Sequence, residues 1–457
     1  MLPRFQVLVG SLTLLLGCSA EPLTSNIASA GDGDEAEDNP SPEPAAPHDS
    51  GVRDSEWPLS PLKDAAPPVA PPLPDTSAEP TKAGCAEGKR EDVDGDGFTI
   101  AEGDCDDCLK TINPAAYDAP TNTVDEDCSG SAALADDCDM SLTIGSTAAE
   151  DGARALGLCS FAKPGSRAWG VTSARYTDAT GTGKLSDPLA VGILPTFGAA
   201  KPRAGGALLA LSSGVARAPG QPGATSGCDA FGAGTDCAFG DFGCLRAGGG
   251  PPPAGYPKPS SVCKDQDQSF GDEPIIYDQA ALELKIRVPS NASAFSFESS
   301  FYTSEYPDWI CEIFNDFFVV FMEPKPEQSP DGNIVFDANH DPIGVNNGLL
   351  AVCDPDAQRA RAVKTFTCDQ GTGLLKGTGY GAGEARCGTG TGGGSTGWLK
   401  TSAPVRPGEE ITLRFAIWDM TDASLDSTAL MDHFTWLTFE GEPEKDIPVE
   451  TEPVIPI

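Results

Sequence analysis

The sequence predicts a mainly β protein, built around one large β-sandwich of jelly-roll type. Three observations predict it. Short runs alternate apolar and polar residues and are separated by turns rich in Gly, Pro and Asp, which is the pattern of half-buried strands. Fifteen cysteines in 457 residues exceed what a reduced compartment usually carries, so cross-links join the scaffold. A long Pro- and acid-rich stretch near the N-terminus lacks the large apolar residues that a core requires, so it adds length without a fold.

Residues 1–17 come first. Arg4 precedes an apolar run from Val7 to Leu16, too short for the roughly 20 residues that span a bilayer. It reads as the apolar part of an export signal. The run ends in Leu15, Leu16, Gly17 and Cys18, which resembles the lipobox of bacterial lipoproteins. That resemblance implies cleavage before Cys18, acylation of its thiol and attachment to the membrane through lipid. Each buried methylene contributes roughly 0.8 kcal/mol, so several acyl chains anchor stably. Ser19 follows where an Asp would imply inner-membrane retention, so the expected location is the cell envelope, at the outer membrane or cell surface.

Residues 18–84 form the predicted disordered tether. Pro40, Pro42 and Pro44, then Pro67, Pro68, Pro71 and Pro72, favour an extended polyproline conformation that works as a spacer.

Residues 85–135 read as a small, disulfide-rich, acidic module. Asp92, Asp94 and Asp96 alternate and are followed by Gly97 and Phe98. Such a run wraps backbone around a hard cation, with carboxylate oxygens as ligands, Gly97 permitting the turn and Phe98 offering its carbonyl. An EF-hand would place a bidentate Glu where this chain has Gly103, so Asp104, Asp106 or Asp107 must complete the shell. Asp125 and Asp127 close the module. The stretch resembles the acidic metal-binding motif of bacterial surface proteins, the MopE type. The matching residues are Asp92 to Gly97, Gly103 to Asp107, Asn113 to Ala115, and Asp125 to Gly130. That family is sometimes labelled copper-binding. Copper prefers imidazole or sulfur ligands, and this module has no His or Met, so calcium is the expected cofactor and copper is not.

Residues 136–440 carry the sandwich. A helix is predicted over Thr147–Leu158, and pairing of nearest cysteines would join Cys138 to Cys159 across it. Leu282, Leu284, Ile286 and Val288 share one strand face, and Phe295, Phe297 and Phe301 continue in the next run. Phe317 to Met322 is apolar on both phases and predicts a strand buried on both sides. Ile411, Leu413, Phe415 and Ile417 alternate again, with Phe434 to Phe439 as a partner. Stretches 220–265 and 368–397 read as surface insertions, and 441–457 as a disordered acidic tail.

Three segments of this domain, Phe301 to Trp309, Phe314 to Phe317 and Ala416 to Asp432, resemble the choice-of-anchor L domain of exported bacterial proteins. The resemblance reaches back to Gly206–Gly214 and covers most of 140–440. Its name refers to variable surface anchors, which a lipid at Cys18 suits. Glu305, Asp308, Asn315, Asp316, Asp419, Asp422 and Asp426 fall at strand ends, and they form a second candidate cluster, for metal or for loop capping.

The chain has 68 acidic and 30 basic residues, a formal charge of −38, which repels nucleic acid. Its three histidines lack any motif around them, and Ser212-Ser213-Gly214 lacks the setting of a nucleophile elbow. The expectation is therefore a surface-displayed binding or structural module, with an extracellular glycan or protein as ligand, and not an enzyme. The alternative is a surface hydrolase, such as a glycosidase using Glu305 with Asp419 as its carboxylate pair.

Overall fold

The computed structural model describes residues 91–454 apart from 121, 134–137, 186, 225–248, 267–268, 272, 358–363, 365, 385–391, 422–424 and 440–446. Expectations for the signal, Cys18, the tether and Asp422 lie outside the described residues.

One α-helix, α1 (Ala149–Ala155), and twelve strands are found among the described residues. In chain order the strands are β1 (Gly170–Thr177), β2 (Val191–Leu194), β3 (Leu208–Ser212), β4 (Ile276–Arg287), β5 (Ala292–Thr303) and β6 (Phe317–Glu323). They continue as β7 (Ile343–Gly344), β8 (Gly394–Ser395), β9 (Leu399–Pro404), β10 (Glu410–Met420), β11 (Ser427–Thr438) and β12 (Glu450–Pro453). The first sheet has the order β1-β4-β10-β6-β7, and the second β12-β9-β5-β11-β3-β2, with β8 added beside β5. All ladders are antiparallel.

The alternation read from the sequence decides how the sheets face each other. Leu282, Leu284 and Ile286 of β4 stand opposite Phe415, Leu413 and Ile411 of β10. They share one buried cluster with Phe295, Phe297 and Phe301 of β5. The Phe297 and Phe415 rings meet edge to face at 5.3 Å, across the two sheets. The predicted double burial of Phe317 to Met322 is observed. The run from Phe434 lies in β11 as far as Thr438, and β11 pairs with β5 and β3 in the second sheet, so it does not share the ladder of β10.

The outer faces of both sheets are also covered, which corrects the reading of 220–265 and 368–397 as surface insertions for their described parts around Tyr256 and around Leu375 and Tyr380. Tyr256 is buried against Phe317, Phe321 and Trp418 on the outside of the first sheet. Leu375 and Tyr380 pack with Phe197, Tyr302 and Leu430 on the outside of the second. Each brings enough apolar area to hold an otherwise irregular segment down, at roughly 25 cal/mol per Å².

Two further expectations change. The helix is shorter than Thr147–Leu158: Ala148 offers no capping side chain, and Gly157 turns the chain away with φ +96°. The Cys138–Cys159 bridge around it is present. The disordered tail expected over 441–457 is corrected at Glu450–Pro453, which pairs with β9 as Val449 buries itself.

The acidic segment packs on the sandwich through polar contacts. Asn291 accepts the Tyr117 N–H at 2.8 Å and donates back to its carbonyl at 2.9 Å. The Ser290 hydroxyl donates to Asn113, and the Tyr117 and Trp169 rings meet edge to face.

Candidate metal centres

The alternating aspartates fold into a loop in which all the carboxylates but that of Asp92 leave one oxygen free of backbone donors. Asp92 accepts the N–H groups of Gly95 and Gly97. One oxygen of Asp94 accepts from Asp96, and one of Asp96 accepts from Phe98. One oxygen of Asp104 accepts from Asp106, and one of Asp107 accepts from Val93. The remaining oxygens, Oδ2 of Asp94, Asp96, Asp104 and Asp107, are buried with no hydrogen-bond partner. Gly97, at φ +95°, supplies the left-handed turn that closes the loop.

These oxygens form two overlapping groups. Ligand atoms of Asp92, Asp94 and Asp107 lie within 4.8 Å of one another, as do those of Asp94, Asp96 and Asp104. Asp94 belongs to both. Burial, with neighbouring carboxylates adding to it, raises Asp94 and Asp104 and pushes Asp96 up to about 6. Of the three residues expected to complete the shell, Asp104 and Asp107 fall in these groups, whereas Asp106 stays outside them.

Asp125 and Asp127 are drawn into a separate group with Asp118, which sequence reasoning missed. Their oxygens are more occupied than those of the first loop. Asp125 accepts from Ser129 and Gly130, and Asp127 from Ser129. Asp118, about 6, is raised by burial and by the adjacent Glu126. The Cys105–Cys128 bridge ties this loop to the first. Cys108 is also disulfide-bonded.

Arg167 was not legible either. It precedes β1 yet reaches the first loop, donating to the Gly97 carbonyl, pairing with Glu102 at 3.0 Å and lying 3.7 Å over the Phe98 ring. No local spacing links residue 167 to a loop some 70 positions earlier.

The second cluster sits at one end of the sandwich. The ends of β3, β5 and β10 and the starts of β4, β6 and β11 meet there, as their registers require. Glu305, Asp316, Asp419 and Asp426 are buried at 0–1% exposure, and Asp308 is half-buried. Asp316 accepts the Met420 N–H at 3.1 Å and the Ser427 hydroxyl at 2.7 Å, joining the two sheets. Asn315 caps a loop by accepting from Asn346 at 2.9 Å. Glycosidase carboxylates must touch a sugar, and Glu305 and Asp419 are closed off from solvent.

The two described histidines have structural partners. His433 meets the Glu298 carboxylate at 3.1 Å, which raises its pKa, and the His340 ring packs tilted against Phe336. No described helix is long and apolar enough to cross a membrane.

No curated protein matches the chain, and no solved structure does. A family model does match, over residues 264–434, from just before β4 into β11. The match leaves out β1–β3, including the Gly206–Gly214 segment, although those strands complete both sheets. Over that span the chain carries a choice-of-anchor L domain.

Proposed function

We propose that this chain is a cell-surface display protein: a β-sandwich stabilised by calcium in its acidic module, held to the envelope by lipid on Cys18, and binding an extracellular glycan or protein. The choice-of-anchor domain speaks for a β-rich module of the cell surface. The observation that carries the calcium reading is the set of four buried carboxylate oxygens, on Asp94, Asp96, Asp104 and Asp107, that no protein donor satisfies. Burying such oxygens is costly unless a cation meets them. Hydrogen bonds to the opposite oxygens fix the loop beforehand, so capping and metal binding divide the same side chains.

The donor set favours calcium over copper. Every candidate ligand is an oxygen, and Cys105, Cys108 and Cys128 are closed in disulfides. Magnesium, with its strict octahedral shell, suits a crowded carboxylate loop less well. This reading takes the module as a binding or structural unit and not as an enzyme.

Calorimetry tests it, on the whole chain carrying Cys18→Ser so that lipid plays no part. Calcium should bind, and Asp94→Ala with Asp96→Ala should remove that binding event. Tight copper binding by the oxidised protein, with none for calcium, would overturn the oxygen-ligand argument. For the anchor, Cys18→Ser should move the protein from the membrane fraction to the soluble one.

A further inference from the structure

We infer that the end of the sandwich holds a second site for a hard divalent cation, built on Asp419 with Asp316 and Asp426. It uses none of the carboxylates of the acidic loop, so it stands or falls separately from the calcium reading above.

Asp419 carries the argument. Its exposure is 0%, and neither carboxylate oxygen has a hydrogen-bond partner of normal geometry. The main charges acting on it are Asp316, Asp426 and Asp278, all negative, and the Ser213 hydroxyl gives only partial relief. A strand end that merely needed capping would spend its side-chain oxygens on backbone N–H groups, as the Asn315 amide and the Asp316 carboxylate do. Asp419 does not. A buried carboxylate among other carboxylates is costly, and a divalent cation turns their mutual repulsion into attraction.

The backbone around it brings these three residues to the same end of the sandwich. Between Ile417 and Asp419 the β4–β10 register shifts, and β4 takes the extra residue, with Asp278 at φ +47°. Gly214, just past β3, lies against the Asp426 carboxylate, where a Cβ would overlap it. Asp316 is fixed from two sides, by Met420 of the first sheet and Ser427 of the second. An ion here would therefore tie the two sheets at that end. The groups are all hard oxygens, and several carboxylates around one ion are characteristic of calcium.

The test counts ions on the whole chain with Cys18→Ser, by native mass spectrometry after dialysis against limiting calcium. A variant with Asp94, Asp96 and Asp127 all replaced by Asn should lose the loop ions yet keep at least one calcium. Adding Asp419→Asn should remove that last ion and abolish the remaining calcium-dependent rise in melting temperature. Without calcium, Asp419→Asn should melt no lower than its parent, because it deletes a buried charge. Should the Asp419→Asn protein fail to fold, the loop variant alone decides: no retained calcium overturns the site. An infrared band of protonated carboxylic acid that persists at neutral pH in saturating calcium and disappears with Asp419→Asn also overturns it, since a proton would then be doing the ion's work.

Discussion

Gly214 has no Cβ where the carboxylate of Asp426 needs the space, so a loop of the second sheet and the start of β11 close on each other through a missing methyl group. The backbone at Gly214 does not have positive φ, so the glycine is there for room and not for a turn.

Gly214→Ala should therefore act through overlap. We expect a loss of about 1–3 kcal/mol, the usual cost of forcing a methyl into a packed site. Urea unfolding measures it. A stability unchanged from the parent would show that Asp426 can move aside freely.

The acidic loop predicts a pH dependence whose sign depends on calcium. Burial, then repulsion from Asp94, Asp104 and Asp92, lifts the Asp96 carboxyl to about 6 from 3.8, against the pull of the Phe98 N–H. In calcium-free buffer the folded form thus holds the proton more tightly than the unfolded one. The stability this contributes is complete below about pH 3.8 and is lost as pH rises through about 6. With calcium the proton becomes a competitor, so calcium affinity should weaken as pH falls through the same region. Melting in chelator across this range, and calcium titrations at its two ends, check both signs. Affinity that is flat with pH would remove Asp96 from the ligand set.

The Cys138–Cys159 bridge spans 21 positions and encloses α1, whose Ala153 and Ala155 lie in the main core with Leu156 just beyond. Replacing both cysteines with Ser should cost about 3 kcal/mol by chain entropy. Denaturant unfolding of the double variant measures this, and an unchanged midpoint would mean that the packing of α1 already restrains the segment.

Much of the sandwich was legible because its strands obey a single period. Leu282 to Ile286 and Ile411 to Ile417 each show one apolar face, and burial follows it. What escaped reading has a different physics. Tyr256 and Tyr380 cover outer sheet faces from segments with no period at all. Glu450–Pro453 forms a strand through backbone pairing that its acidic, Pro-bearing side chains do not announce. In the acidic loop, spacing pointed to Asp92, Asp94 and Asp96, with Asp104, Asp106 or Asp107 left open to complete the shell. Only the fold reveals which oxygen of each is tied down and which faces inward, and only the fold brings in Asp118 and Arg167.

The short strand β12 has a consequence for neighbouring molecules. It occupies the rim of β9 and leaves Glu450, Glu452 and Pro453 exposed along the outermost edge of the second sheet. A bare rim invites another chain to add a strand, whereas one lined with like charges and a residue that cannot donate a backbone hydrogen bond resists it. Copies crowded side by side would then stay separate, and self-association through this border would require peeling β12 away first.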